Sequence, residues 1–385
     1  MLVALARAGA FAQTPVPRPG SGQADGKAGA PAAQAAAVER RLADEVRRHP
    51  DSFDAHYQLA SFYLEQGKLE VALPHLTRAR EIDPANYPSG HDLALTLLEL
   101  GRLNDARAQI EQMLAAKDEA ELHNLLGNVY ERAANFVAAA DEYQRAAHMA
   151  PTEGHLFDWG NNLIQLRAFD EAAQVFSAGI ARHPESARLH VGLGIAEYSR
   201  GQHESAVKSF CRAADLAPAD DRPYQFLGEM YGVVPALAGE ITARLARYAK
   251  AHPRNALSQF HYAMSLWKGQ PEAPGDLRQV EALLRRAVTL DRTLAKGFLE
   301  LGTLLADQQR YSEAIQALQS AARADPNLAQ AHYRLAQAYQ RTGQKALAAK
   351  ELEIFERLNT PPTQPHVVSA LGGPVTPKRS AAIDR

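Results

Sequence analysis

Residues 53–86 read FDAHYQLASFYLEQGKLEVALPHLTRAREIDPAN, and this arrangement of apolar, small and helix-ending residues returns about every 34 residues along the chain. With Phe53 taken as position one, the repeats start near residues 53, 87, 120, 153, 187, 221, 256, 295 and 329. A fixed period of this length indicates units that cannot bury their apolar faces alone and must stack on their neighbours.

Small residues hold fixed positions in this repeat frame. Position eight is Ala or Gly in every repeat, as in Ala60 and Gly127, and position twenty is mostly Ala, as in Ala72. A glycine such as Gly67 supplies a turn between two helical stretches, because it adopts backbone conformations that other residues resist. A proline such as Pro84 then ends the second stretch. The pattern predicts a helical hairpin, repeated nine times, whose two helices approach each other closely.

These positions resemble the tetratricopeptide repeat (TPR) family across residues 53–359. The resemblance implies an all-α fold, a right-handed α-solenoid of about nine helical hairpins, with residues 38–50 as an N-terminal capping helix. Two features depart from the family pattern: position four is often His instead of Trp or Tyr, and the sixth and seventh repeats are distorted. The prediction divides the chain into an apolar start with a flexible linker (1–31), the solenoid (32–359) and a Pro-rich disordered tail (360–385).

Composition excludes several classes of protein. The chain has 385 residues, 46% of them hydrophobic and 22% charged, which is too apolar for a wholly disordered protein. Its 42 basic and 44 acidic residues give a net charge of −2, so no basic field recruits nucleic acid. The single cysteine, Cys211, excludes an intramolecular disulfide. No stretch is apolar for the roughly 18 residues that an integral membrane helix needs.

Sequence signatures of catalysis and cofactor binding are missing: we find no dinucleotide loop, P-loop, nucleophile elbow or paired-histidine zinc helix. Four histidines share position four of their repeats: His56, His123, His190 and His332. They therefore follow the repeat along the stack instead of converging on one ion, and packing between repeats explains them better than a metal site. We expect no enzyme, no cofactor and no metal; an enzyme with an unrecognised site is the weakest alternative.

The family resemblance also implies a binding groove, which positions two, five, nine, twelve and thirteen of each first helix face in TPR proteins. The groove candidates are Asn124, Asn128, Arg132, Phe157, Asn161, Arg188, Tyr198, Phe260, Trp267 and Tyr333. Asparagine is suited to such a groove, because its amide can donate to and accept from an extended peptide backbone. For the asparagines, a solvated face without a ligand is an equally open interpretation.

Two further features limit what the groove is expected to bind. The residue pattern of TPR proteins that hold a chaperone C-terminal tail fails here at Asp158 and Gly192, so we do not expect that ligand. The sixth repeat breaks around Gly232, and an insertion at 269–276 lengthens the turn after Trp267. These irregularities mark either a specificity feature or drift that loops tolerate.

The sequence thus predicts a non-catalytic scaffold or adaptor that binds proteins or extended peptide segments. The alternative is a targeting or assembly subunit of a larger envelope, secretion or enzyme complex whose activity lies in a partner chain. A monomer or weak dimer is expected. Residues 1–12 resemble an export signal but lack a basic start. They predict a periplasmic or extracellular protein of a bacterium-like cell, with a cytoplasmic protein as the alternative.

Overall fold

The computed structural model describes residues 29–269 and 276–360, which contain helices and turns but no strand. Predictions for residues 1–28, 270–275 and 361–385 lie outside the described residues. The helices are α1 (Gly29–Arg48), α2 (Phe53–Glu65), α3 (Leu69–Ile82), α4 (Tyr87–Glu99), α5 (Leu103–Ala116), α6 (Ala120–Arg132), α7 (Phe136–Met149), α8 (Glu153–Gln165), α9 (Phe169–Arg182), α10 (Ala187–Ser199), α11 (His203–Leu216), α12 (Arg222–Met230), α13 (Ala238–Ala251), α14 (Ala256–Lys268), α15 (Leu277–Leu290), α16 (Ala295–Asp307), α17 (Tyr311–Ala324), α18 (Ala329–Arg341) and α19 (Lys345–Asn359).

The first helix of each repeat begins where the sequence frame places it. Helices α2, α4, α6, α8, α10, α14, α16 and α18 start at the predicted residue, and α12 starts one residue later, at Arg222. Side-chain caps fix several of these starts, because Ser52, Thr152 and Ser186 each accept the backbone N–H of the third residue that follows. Such a cap satisfies an N–H group that the helix itself leaves unpaired. The described helices are consistent with the nine predicted hairpins.

The small residue at position eight allows the bulky residue at position twenty-four to pack against the first helix. A Cβ atom built on Gly127 would lie 2.6 Å from the ring of Tyr143, and one built on Gly160 would lie 2.7 Å from the ring of Phe176. Both rings are fully buried. The Ala and Gly pattern read from the sequence therefore reflects direct packing of a large side chain onto the backbone of the neighbouring helix.

The turn inside seven of the described hairpins has a left-handed backbone at position fifteen. Gly67 and Gly101 have φ values of 69° and 72° there, which confirms the role predicted for these glycines. Ala134, Arg167 and Gln309 adopt the same conformation at this position, with φ values of 57°, 61° and 61°. A residue with a Cβ atom pays about 1–2 kcal/mol for this conformation, so these three turns are strained.

Helix α1 caps the first repeat. Leu42 is buried in one apolar cluster with Leu59 and Tyr63 of α2, and the Tyr63 hydroxyl donates to Glu39 over 3.1 Å. The helix begins at Gly29, inside the stretch that composition predicts as linker, because alanine is the best helix former and dominates residues 32–37. A capping helix is thus confirmed, and it is longer than the predicted one.

The sixth repeat is irregular, as its sequence predicts. Its first helix, α12, has only nine residues, and a 3-10 helix at Pro235–Leu237 precedes α13. The described residues form two compact units, one of residues 29–252 with 264–269 and the other of residues 253–263 with 276–360. Helices α1 to α13 belong to the first unit and α15 to α19 to the second, and each unit contains a buried apolar cluster.

Candidate peptide-binding face

Side chains at fixed repeat positions join neighbouring first helices in the first unit. Position five of one repeat contacts position six of the next: Asn124 on α6 donates from Nδ2 to Asp158 Oδ2 on α8 over 3.0 Å. The Tyr57 hydroxyl donates to Asp92 over 2.9 Å in the same way, between α2 and α4. We call the side chains at positions two, five, six, nine and twelve of α6, α8 and α10 the first-helix face.

A polar cluster occupies the α6 part of this face. The hydroxyl of Tyr143 donates to Glu131 Oε2 over 2.7 Å and lies 2.9 Å from Asn128 Oδ1. Tyr143 belongs to the second helix α7, so its hydroxyl reaches the face from inside the hairpin. Asn124 is only 8% exposed, and its Oδ1 atom is buried without a hydrogen-bond partner. The predicted candidates Asn124 and Asn128 therefore lie in one cluster with a carboxylate.

The α8 part of the face combines an aromatic ring with a free amide. Phe157 is buried, with 4% exposure, and the Arg188 guanidinium of α10 lies 4.9 Å from the centre of its ring. Arg188 also donates from Nε to Glu153 over 2.9 Å. Asn161 is partly exposed, and no hydrogen bond of its amide is found within the described part of the chain. Phe157 is thus packed under Arg188 and is not an exposed anchor.

Two other candidates of the first unit lie beside this cluster. Arg132 is exposed and donates from Nη1 to the Leu98 carbonyl over 2.8 Å and from Nη2 to Glu99 over 2.6 Å. Tyr198 is partly exposed, and its ring centre lies 5.0 Å from that of His203 in the next helix. Arg132 therefore ties the third repeat to the second, which accounts for it without a ligand.

The remaining candidates lie outside the first-helix face: Phe260 and Trp267 on α14, and Tyr333 on α18. Phe260 is buried, with 7% exposure, so a partner side chain cannot reach it in this conformation. Trp267 is partly exposed, and the Lys268 ammonium lies 4.8 Å from the centre of its ring. Tyr333 is exposed, and its ring centre lies 5.0 Å from that of Phe355. Trp267 and Tyr333 remain accessible candidates.

Burial perturbs the acidic groups of the first-helix face. Desolvation raises the pKa of Asp158 above its ordinary value, although the Asn124 hydrogen bond and the charge of Arg188 oppose this shift. Desolvation also raises the pKa of Glu131, and the nearby charge of Asp158 adds to the effect. The pKa of Tyr143 is raised by burial and by the charge of Glu131. Two carboxylates thus share a site that disfavours their ionised forms.

Sequence reasoning missed the part that Asp158 and Tyr143 play in this face. In the sequence, Asp158 only breaks the pattern of chaperone-tail binders, and Tyr143 is not among the groove candidates. The acidic residue at position six of three repeats, Asp92, Asp158 and Glu300, was the available signal. Its meaning depends on which side chains meet between repeats, and the sequence period alone does not show that.

The position-four histidines link each repeat to the turn that precedes it. His56 Nε2 lies 3.0 Å from the Pro50 carbonyl, and His332 Nε2 lies 3.1 Å from the Pro326 carbonyl. Their Nδ1 atoms meet side chains of the second helix of the same repeat, as in the 2.6 Å contact of His332 with Glu351. In the described ranges, no three His, Cys, Asp or Glu side chains are placed to hold a metal ion.

Among helices α1 to α19 as described, none is long and apolar enough to cross a membrane.

Comparison with curated proteins gives two human relatives. Protein O-mannosyl-transferase TMTC1 is 23% identical over 166 residues, which cover 42% of this chain and 19% of that protein. Tetratricopeptide repeat protein 6 is 29% identical over 122 residues, which cover 31% of this chain and 24% of that protein. The chain therefore spans a fifth to a quarter of the length of these relatives.

Three solved structures align with parts of this chain. YrrB, described as a TPR protein with an unusual peptide-binding site, matches with a TM-score of 0.40 and 19% identity over 48% of this chain and 96% of its own. MamA matches with a TM-score of 0.40 and 21% identity over 43% and 92%. The Cut9–Hcn1 hetero-tetramer structure matches with a TM-score of 0.42 and 12% identity over 86% and 92%. At scores and identities this low, the likenesses assign no function.

Family models provide the direct assignment. Models described as tetratricopeptide repeat match residues 26–87, 157–221 and 63–129, and a model described as TPR repeat matches residues 302–343. Together they cover more than half of the chain, and their matches fall on the hairpins seen in the structure. The chain belongs to the tetratricopeptide repeat family.

Proposed function

We propose that the chain is a non-catalytic scaffold that binds an extended peptide segment of a partner protein along the first-helix face. TPR repeats are protein-binding scaffolds. In this chain we place the binding site on the first-helix face and expect the ligand to be extended. The observation that carries it is a pair of amides on neighbouring first helices: Asn124 Oδ1 on α6 is buried without a hydrogen-bond partner, and the Asn161 amide on α8 is partly exposed, with no partner among the described residues. An extended backbone offers both the donors and the acceptors that these groups lack.

The chemistry of the face favours a binding role over a catalytic one. Its acidic groups are paired with amide and hydroxyl donors from the chain itself, as in the Asn124–Asp158 and Tyr143–Glu131 hydrogen bonds. We therefore assign no reaction to it, and the transferase named among the relatives shares only a part of its length with this chain.

A peptide selection tests this proposal. The purified full chain is immobilised and used to select from a phage-displayed library of random dodecapeptides, and selected peptides are measured by fluorescence anisotropy. We expect Asn161→Ala to weaken binding about five- to tenfold, because it removes hydrogen bonds worth about 1 kcal/mol. The thermal midpoint should not fall, since the Asn161 amide has no partner in the described structure.

Asn104→Ala is the matched control for this experiment. Asn104 is also exposed but lies on the second helix α5, away from the first-helix face. This variant should bind the selected peptides as tightly as the wild type does. Selection of no peptide, or equal binding by both variants, would contradict the proposed face.

A further inference from the structure

A small acidic cleft lies within the first-helix face, between α6 and α8. It is formed by the carboxylates of Asp158 and Glu131 and the amide of Asn124, with the Tyr143 hydroxyl at its base; we call these four side chains the acidic cleft. Asn124 and Tyr143 each donate to one carboxylate, over 3.0 and 2.7 Å. Asp158 and Glu131 are both partly exposed, so the acidic cleft opens to solvent.

The two carboxylates of the acidic cleft have no cation of their own. Within the described residues, neither Asp158 nor Glu131 forms an ion pair. Two arginines beside the acidic cleft pair with other carboxylates: Arg132 with Glu99 over 2.6 Å, and Arg188 with Glu153 over 2.9 Å. An ionised carboxylate that is removed from water without a partner is costly, so this arrangement is unfavourable unless something binds there.

A third group of the acidic cleft also lacks a partner. Asn124 is more than nine-tenths buried, its Nδ2 atom points to Asp158, and its Oδ1 atom has no donor. Buried polar oxygens are almost always hydrogen-bonded, so an orphaned one points to a missing donor. The acidic cleft therefore offers two carboxylates as acceptors beside an amide oxygen that has no donor, and an N–H group with positive charge suits the carboxylates best.

The charges around the acidic cleft are paired with one another, so its own two carboxylates are what favours a cation as the occupant. Glu121, at position two of α6, adds a further carboxylate, and it is held by His155 of α8 across 3.3 Å. The charges of Arg188 and His155 lower the pKa of Asp158, but desolvation outweighs both of them and the pKa is raised. A bound cation would replace the hydration that the ionised carboxylates have lost on burial, and would so stabilise their charges.

Building on the peptide-binding function proposed above, we propose that the acidic cleft receives the ammonium or guanidinium group of a lysine or arginine in the bound segment. Either side chain carries several N–H donors and can reach past the peptide backbone with an apolar stem. The backbone of the same segment would then pass over Asn161, on the neighbouring turn of α8. The chain accordingly binds peptide segments that contain a lysine or an arginine.

The test uses the peptides from the selection described above and examines their sequences. We expect the selected peptides to be enriched in Lys or Arg at one aligned position. The best peptide is then synthesised with that residue replaced by uncharged norleucine. This replacement should weaken binding to the wild type about tenfold, in line with a charge-assisted hydrogen bond.

A double-mutant cycle places the effect at the acidic cleft. On Asp158→Asn, the norleucine replacement should weaken binding by only about threefold, because one of the two carboxylates that recognise the cation is gone. The thermal midpoint of this variant should not fall, since the substitution keeps an oxygen to accept from Asn124 and removes a poorly solvated charge. Asp105→Asn, an exposed position on α5 paired with Arg102, should retain the full tenfold effect.

The outcomes separate the two proposals. Selection of no peptide overturns both. Peptides that bind and respond to Asn161→Ala, but contain no enriched basic residue, leave the proposed function standing and overturn the acidic cleft as a cation site. An equal norleucine effect on the wild type and on Asp158→Asn also overturns it, because the cation would then be recognised elsewhere.

Discussion

The turn at position fifteen shows how a single residue position constrains this protein. Seven repeats have a left-handed backbone at position fifteen, and in three of them the residue at this position carries a Cβ atom. Because the two helices of the hairpin are held by their own packing, the turn keeps its shape even where the residue disfavours it. Ala134 is the simplest of the three, since its side chain is one methyl group.

Replacing Ala134 by glycine should stabilise the protein. We expect Ala134→Gly to raise the free energy of unfolding by about 0.5–1 kcal/mol, because relief of left-handed strain exceeds the entropy that glycine costs. The reverse change, Gly67→Ala, should lower stability by about 1 kcal/mol, and no atom lies within 4 Å of the added Cβ to complicate it. Urea denaturation measures both.

A helix-interior change provides the comparison for these turn variants. Ala140→Gly, in the middle of α7, should destabilise by about 1 kcal/mol, since glycine is a poor helix former. If Ala134→Gly destabilised as Ala140→Gly does, position fifteen would not carry the strain that its φ of 57° indicates.

At the scale of the element, the hairpin depends on close approach at position eight. The ring of Phe176 is held between two glycines, because Cβ atoms on Gly160 of α8 and on Gly192 of α10 would lie 2.7 and 2.4 Å from it. One aromatic ring therefore packs on the backbone of its own repeat and on that of the next. This contact joins packing within a hairpin to packing between hairpins.

Filling this contact should disrupt the fourth hairpin. Gly160→Ala is expected to lower stability by about 1–3 kcal/mol, because overpacking outweighs the roughly 1 kcal/mol that alanine gains in a helix. Phe176→Leu should cost less in the Gly160→Ala background than in the wild type, since the smaller side chain relieves the clash. Thermal unfolding of the single and double variants measures the coupling.

Gly154 on the same helix is the matched control. The nearest atom to a Cβ built there is Arg188 Nη2 at 3.7 Å, an ordinary contact. Gly154→Ala should therefore leave stability unchanged or raise it by up to about 1 kcal/mol. A similar loss for both variants would show that the Phe176 contact is not the cause.

At the scale of the whole molecule, interactions in a repeat protein are mainly between neighbours, so stability need not be uniform along the chain. Helix α1 covers the apolar side of the first hairpin, where Leu42 packs with Leu59 and Tyr63. The same cluster continues through α4 and α5 to Leu122 and Val129 of α6. A defect at α1 should therefore be felt most by the helices that it touches.

A change at Leu42 tests this expectation. Leu42→Ala should lower local stability by about 2–4 kcal/mol, the usual range for a buried leucine in a core. Hydrogen exchange followed by mass spectrometry should show faster exchange in α1 to α3 and little change in α8 to α11, because coupling fades with each repeat. Equally faster exchange in all these helices would instead indicate one cooperative unit.

The sequence alone determined the family, the hairpin boundaries and the positions of close packing. These properties follow from local rules: caps such as Ser52 start helices, Gly67 takes a left-handed turn, and Pro84 ends a helix wherever it occurs. Repetition then strengthens each signal, because the same rule acts in every unit. The expected export signal falls on residues 1–12, outside the described residues, and stays a prediction.

Only the tertiary structure decided which side chains meet on the first-helix face. Asn124 and Asp158 are 34 residues apart and touch because α6 and α8 pack side by side, while Phe157, a groove candidate by position, is covered by Arg188. The repeat frame predicts only which face of the helix a side chain lies on. Whether that side chain is buried, paired or left with an empty acceptor depends on the neighbouring repeat, whose residues at these positions vary.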